Sequence, residues 1–282
     1  MTRRNRFQEK AMSAVFLTSA LTSIFAVGLI CLFLFANGLS AMGEIGVFKF
    51  LFGTEWSPGN VPQVFGIFPM VLGSLYVTAG AIIIGVPIGV LTAVFLAKDC
   101  PSKLYRIIKP GVELLAGIPS VVYGYFGMAV IIPLTGNSIL SAAILLGIMI
   151  LPTIIGIAES ALRAVPEHYY EGALALGAGH YRSVFRVVLP AAQSGIFAAV
   201  VLGIGRAVGE TMAVIMVAGN QARMPVSLMK GVRTLTANIV IEMGYAAELH
   251  RGALIATGVV LFVFILIINL SFSALKGRQK NA

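Results

Sequence analysis

Glu171-Gly-Ala-Leu-Ala-Leu-Gly177-Ala-Gly-His-Tyr-Arg-Ser-Val-Phe-Arg-Val187-Val-Leu189-Pro190 separates two long apolar runs of this chain. It is more ordered than a linker. Small residues at Gly172, Ala173 and Gly177 let a partner approach the backbone closely. Gly177 and Gly179 end one helix, a second short helix is expected from about His180 to Val188, and Pro190 resets the chain for the next run. A short amphipathic helix lying at an interface is the plain alternative for this stretch.

The apolar runs on either side set the class of protein. Of 282 residues, 58% are hydrophobic and only 11% charged, and the mean hydropathy is +0.95. A water-soluble domain of that composition would expose large aggregating patches. The chain is therefore read as an integral membrane protein. A closed β-barrel would need alternating segments of about ten residues. The runs here are continuous and rich in Leu, Ile, Ala and Gly, so the spans are helices.

Six spans are expected, at about 13–37, 71–97, 111–134, 139–161, 191–219 and 250–275. The first follows a basic stretch, as a secretion signal would, but it is longer than a signal's apolar core and is read as a retained helix. Net charge +9 invites a nucleic-acid partner. The distribution argues against one, because the basic residues sit in short connections where they set topology. Arg3, Arg4, Arg6 and Lys10 precede the first span. Lys98, Lys103, Arg106 and Lys109 lie in the second connection, Arg163, Arg182 and Arg186 in the fourth, and Lys276, Arg278 and Lys280 in the tail. All fall on one side, against Lys49, Arg223, Lys230, Arg233 and Arg251 on the other. That bias places both termini and the 171–190 connection in the cytoplasm.

Several spans carry helix-weakening residues. The second holds Gly85, Pro87 and Gly89, the third Gly117, Pro119, Gly124 and Gly127, and the fourth Pro152. Close helix packing and helix movement both use such residues. The fifth span reads Gly203-Ile-Gly205-Arg206-Ala-Val-Gly209-Glu210-Thr211. At a spacing of four, Arg206 and Glu210 share a face of one continuous helix. A charge at mid-membrane costs roughly 2.5–3.5 kcal/mol on insertion scales. A guanidinium fork holds two oxygens of an oxyanion at once. An anion path or gate and a register-fixing ion pair both fit this cluster. Glu113 and Glu159 are each expected to cap a helix or meet a loop Arg. The outer segment 38–70, with Trp56, Pro58 and Pro62, is expected to be partly structured. The segment 220–249 turns at Met224-Pro225 and then becomes helical, as a gate or a receptor contact.

Cys31 and Cys100 form no disulfide framework, and the three histidines do not cluster at metal spacing. No phosphate-binding GxxxxGK[ST] loop, nucleophile elbow or zinc-binding helix occurs. The chain is thus expected to be no enzyme and to hold no cofactor of its own.

The opening stretch resembles the EAA loop of ABC-importer permeases: E-A-A, three residues, Gly, nine residues, an aliphatic residue, one more, then Leu-Pro. Gly172 and Val187 depart mildly from it. In that family the loop docks into a cleft on a cytosolic ATPase. Leu51-Phe-Gly-Thr-Glu-Trp-Ser-Pro58, Gly66-Ile-Phe-Pro69-Met-Val-Leu-Gly-Ser74, Glu113-Leu-Leu-Ala-Gly-Ile-Pro-Ser-Val-Val-Tyr-Gly124 and Gly205-Arg-Ala-Val-Gly-Glu-Thr-Met-Ala213 resemble the phosphate-specific importer permeases over about residues 45–270. Gly219-Asn220 and Leu249-His-Arg-Gly-Ala-Leu-Ile255 are closer to the C-type than to the A-type subunit.

The resemblance implies an all-α integral membrane protein of six transmembrane helices with the type I importer permease fold. A permease domain, 13–275, would carry the coupling loop at about 162–190, between a cytosolic N-terminal segment, 1–12, and a cytosolic tail, 276–282. It implies a bacterial inner-membrane phosphate importer with an A-type permease partner, an ATPase dimer below that binds ATP and Mg, and a periplasmic phosphate-binding protein above. Glu171, Gly172, Ala173, Gly177, Leu189 and Pro190 would carry ATPase coupling, and Arg206, Glu210 and Thr211 the path or its gating. Rival expectations are a permease for sulfate or molybdate, an ion-coupled carrier or channel, and a phosphate-status sensor or scaffold.

Overall fold

The computed structural model describes residues 3–279, with side chains described for 9 and 11–271. The basic side chains of the expected terminal segments, Arg3, Arg4, Arg6, Lys10, Lys276, Arg278 and Lys280, lie outside the described residues. The elements run α1 (Arg3–Ile45), α2 (Val47–Phe52), a hairpin of β1 (Trp56–Ser57) and β2 (Val64–Phe65), α3 (Phe68–Val94), α4 (Ser102–Gly117), α5 (Ser120–Phe126), α6 (Ile132–Thr135) and α7 (Ile139–Arg163). They continue with α8 (Glu167–Ala175), α9 (His180–Ser183), α10 (Leu189–Ala191), α11 (Gln193–Gly209), α12 (Met212–Val217), α13 (Leu235–Glu242) and α14 (Glu248–Gln279). Single π-helical turns at Phe95–Asp99, Gly127–Ile131 and Val184–Val188 bridge three of the junctions.

Among the described residues, four helices are long and apolar enough to cross a membrane, or up to six crossings if each of two bent pairs counts as one. The long ones are α1, α3, α7 and α14, where uninterrupted hydropathy leaves only a helix able to satisfy its own backbone in lipid. The bent pairs refine two expected spans. Span three, expected over 111–134 with helix-weakening Gly117 and Pro119, bends by 101° between α4 and the α5–α6 segment. Pro119 is the cause, because its ring disfavours α geometry at the residue before it, and Ile118 is extended at φ −69°, ψ 127°. The straight part, Ser120–Thr135, rises only about 24 Å at 1.5 Å per residue. None of α4's residues is buried. Span five, read as 191–219, bends by 70° at its entry and breaks again after Gly209, where Glu210 is extended at φ −68°, ψ 130°.

α3 and α7 form the centre, and α11 packs on both. Lipid is as apolar as a leucine core, so this packing rests on close backbone approach and van der Waals contact rather than on escape from water. Gly85 shows the requirement. A Cβ there would lie 2.7 Å from Ile150 and 2.9 Å from the Gly147 carbonyl oxygen of α7. Leu145, Leu146, Met149, Ile150 and Ile154 of α7 are fully buried in this contact layer. Ser138 starts α7 as its N-cap, its hydroxyl accepting from the Ser141 amide at 3.2 Å. α1 and α14 pair separately and antiparallel, with Phe35 edge-on to Phe262 at 5.9 Å. Before that contact, every described side chain of α1 from Ala11 to Ile30 is exposed.

The two ends of the bundle differ. One end, called here the loop end, carries 95–109 and 163–192. The opposite end carries α2, the hairpin and α13, packed around Phe50, Trp56, Phe65, Ile67 and Leu235. Segment 38–70, expected to be partly structured, and segment 220–249, expected to turn and become helical, are both built structures at this end.

Candidate functional site

At the loop end, α8 stops where its sequence stops it. Gly177 takes φ +83°, a left-handed conformation that L side chains adopt only at a cost. Its amide donates to Leu174 O at 2.9 Å, and the Ala178 amide donates to Ala173 O at 3.1 Å. These two bonds make a Schellman cap, which satisfies carbonyls the helix end would otherwise leave bare. The expected second helix is divided. α9 gives way to a π turn over Val184–Val188, and α10 then carries Leu189 and Pro190.

The inner face of this loop is set by Ala173, Val184 and Val188, which pack against Ala158, Leu162 and Val165 of α7 and its following turn. Its outer face shows Leu176, Tyr181 and Phe185 to solvent, with Leu176 91% exposed. Glu171 and Gly172 lie on that outer face, and a Cβ at Gly172 or Gly177 would meet nothing within 4 Å. The six residues expected for coupling therefore form one connected loop, with Ala173 turned inward.

Under the loop lies a buried carboxylate. Glu159 is 2% exposed and accepts from Tyr105 Oη at 2.8 Å, Lys109 Nζ at 2.9 Å and Arg163 Nε at 2.8 Å. Arg163 also donates to Leu96 O at 2.8 Å. Arg163 is the loop Arg expected for Glu159, Lys109 and Tyr105 were not anticipated, and the cluster joins α4, α7 and the end of α3. Three donors around one carboxylate supply the partners that its burial demands. Glu113 lies on the rim, 3.7 Å from Lys109.

In span five the structure separates what the spacing joined. Because α11 ends at Gly209, Arg206 and Glu210 do not share a helix face, and among the described residues no ion pair joins them. The Glu210 carboxylate folds forward, where Oε1 accepts from the amides of Thr211 and Ala213 at 3.1 and 3.2 Å. It thereby satisfies donors at the start of α12 that the break exposes. Thr211 Oγ1 donates back to Gly209 O at 3.1 Å. Beside them is a small cavity whose lining includes Glu210 itself with Ser74, Thr78, Thr234 and Thr236, among apolar residues of α3, α7, α11 and α12. Arg206 is half-buried and reaches Thr153 Oγ1 of α7 at 3.4 Å. Among the described residues it has no carboxylate partner. A Cβ at Gly205 or Gly209 would meet nothing within 4 Å, so this side of α11 is open.

A third cluster, at the opposite end, was not anticipated. Glu242 Oε2 accepts from Trp56 Nε1 at 2.9 Å and from His250 Nε2 at 2.8 Å, and Oε1 accepts from Arg233 at 2.5 Å. Arg233 also holds Asn220 O and Asn238 Oδ1. No local signal in the sequence could have found this cluster, because the pairing of Glu242 with Trp56 spans 186 positions. Among the described residues no group of three His, Cys, Asp or Glu side chains could hold a metal ion.

Comparison with known proteins places this geometry. Residues 85–281 match the family described as binding-protein-dependent transport system inner membrane component. A probable ABC transporter permease, YqgH of Bacillus subtilis, is 35% identical over 99% of this chain and 94% of its own. The phosphate transport system permease protein PstC of Mesorhizobium japonicum is 34% identical over 94% of this chain and 89% of its own. Among solved structures, the alginate ABC transporter superposes with TM-score 0.64 at 15% identity, covering 97% of this chain and 99% of that one. The inward-facing MetNI methionine ABC transporter gives 0.62 at 21%, covering 75% and 96%.

Proposed function

This chain belongs to the family of binding-protein-dependent transport system inner membrane components, and from that premise we propose that it is the C-type permease subunit of an ATP-driven phosphate importer. It is a multi-pass membrane protein whose permease domain spans about 13–275, with both termini and the 162–190 loop in the cytoplasm. The observation that carries the transport reading is Arg206: a guanidinium within an apolar span, on the open side of α11, with a single long hydrogen bond to Thr153. Such a group is costly unless something anionic uses it. Its planar donors suit a tetrahedral oxyanion. The choice of phosphate is supported by the curated relatives named for phosphate transport.

Energy enters from partners. The exposed Leu176, Tyr181 and Phe185 face of the loop is the surface we assign to a cytosolic ATPase dimer, which would bind ATP and Mg. The open side of α11 is assigned to an A-type permease, so that the path runs between two subunits. A periplasmic phosphate-binding protein would dock on the α2–hairpin–α13 end. Glu210 and Thr211 keep the break in span five satisfied while α11 and α12 shift, so they gate, and Arg206 contacts the ion. In the assembled importer, Arg206→Ala should lower phosphate uptake by 10-fold or more, since a charge-assisted hydrogen bond contributes about 1.5–3 kcal/mol. Normal uptake by a fully assembled variant contradicts the assignment.

A further inference from the structure

The coupling loop is joined by the chain itself to α7 and α11 only. Side chains add a third attachment, to α3. His180 opens α9, and its Nε2 lies 2.5 Å from Asp99 Oδ1, the last residue of the π turn that ends α3. Its Nδ1 lies 2.6 Å from the Tyr170 hydroxyl on α8. A neutral imidazole satisfies both contacts at once, Nε2–H donating to Asp99 and Nδ1 accepting from Tyr170. Next to Asp99, Lys98 Nζ is 3.4 Å from Glu167 and 5.6 Å from the centre of the Tyr170 ring. Two neighbouring residues of α3's end are thus gripped by three residues of the loop.

α3 is also pinned at its other end. Ser74 Oγ accepts from the Leu235 amide at 2.9 Å. A Cβ on Gly73 would lie 2.5 Å from Arg233 O, so the two backbones touch there. Arg233 belongs to the Glu242 cluster that holds Trp56 and His250. α3 is one unbroken helix over Phe68–Val94, and such a helix, held by the coupling loop at one end and by the receptor-side cluster at the other, can carry displacement between them.

We propose that Asp99, His180 and Tyr170 are positioning residues for transport: they make α3 move with the coupling loop, so that the ATPase stroke reaches the opposite end through α3. This rests on the reading that the loop docks an ATPase in a phosphate importer. A clasp that only stabilises the fold would lower the melting temperature and leave the phosphate moved per ATP unchanged.

The test uses the complete importer in proteoliposomes and reads ATP hydrolysed per phosphate transported, with stimulation of hydrolysis by the loaded binding protein. His180→Ala and Asp99→Ala should each raise the ATP-to-phosphate ratio at least about 5-fold, the low end of ordinary coupling between sites. The double variant should be no worse than either single, because both break one link. His180→Gln, whose amide nitrogen can still donate to Asp99, should recover most of the coupling. Where His180→Ala does not assemble, Tyr170→Phe removes only the hydroxyl and reads the same ratio. An unchanged ratio in assembled variants, or additive losses, overturns the clasp while the importer reading stands. A wild-type complex that neither responds to the loaded receptor nor moves phosphate overturns both.

Discussion

Gly177 and Gly172 sit five residues apart in the same loop and carry opposite expectations. Gly177 holds a left-handed backbone, where an alanine costs about 1–2 kcal/mol and an asparagine much less. Gly177→Ala should therefore impair coupling of ATP hydrolysis to transport in the purified complex, and Gly177→Asn should largely preserve it. Equal loss in both would place the requirement in the empty space around Gly177, where a docked partner would meet any side chain, rather than in its backbone. Gly172 is an ordinary helical position in α8, open on its outer side. Gly172→Ala should raise loop stability by about 0.5–1 kcal/mol with transport retained, as measured by melting of the complex and by uptake. The sequence pointed to both residues by spacing. Only the cap geometry separates a required glycine from an incidental one.

At the level of elements, legibility followed continuity. α3, α7 and α14 announce themselves by unbroken hydropathy, and the 101° bend before α5 has its cause written in Pro119. The break at Glu210 has no proline or other strong marker. Arg206 and Glu210 fit an i, i+4 pair so well that local spacing favours one straight helix, and only the capping of α12 by Glu210 shows otherwise. The Trp56–Glu242–His250–Arg233 cluster was invisible because its members come from the hairpin, α13, α14 and the loop between spans, brought together by tertiary packing. Removing its centre leaves Arg233 without its carboxylate. Glu242→Ala should destabilise the chain by about 3–5 kcal/mol, the usual consequence of breaking a buried pair from one side, read as a lower melting temperature in detergent. Glu242→Gln, which keeps an acceptor oxygen, should lose less. A melting temperature unchanged by Glu242→Ala would show that the hairpin is held by its apolar contacts alone.

The molecule as a whole has a finished side and an unfinished side. The α3–α7 core is packed closely enough to exclude a methyl group at Gly85. In contrast, residues 11–30 of α1, the open side of α11 and the outer face of α8 and α9 lack cover among the described residues. That asymmetry fits a subunit whose path, energy and receptor are completed by other chains. We propose that the oxyanion moved is phosphate and that Arg206 handles it. Uptake of radiolabelled phosphate, with and without excess sulfate, into proteoliposomes holding the complete importer tests both at once. Uptake that sulfate does not suppress, and that falls 10-fold or more in an assembled Arg206→Ala complex, is the predicted result. Sulfate uptake in place of phosphate, or undiminished phosphate uptake by the variant, would contradict it.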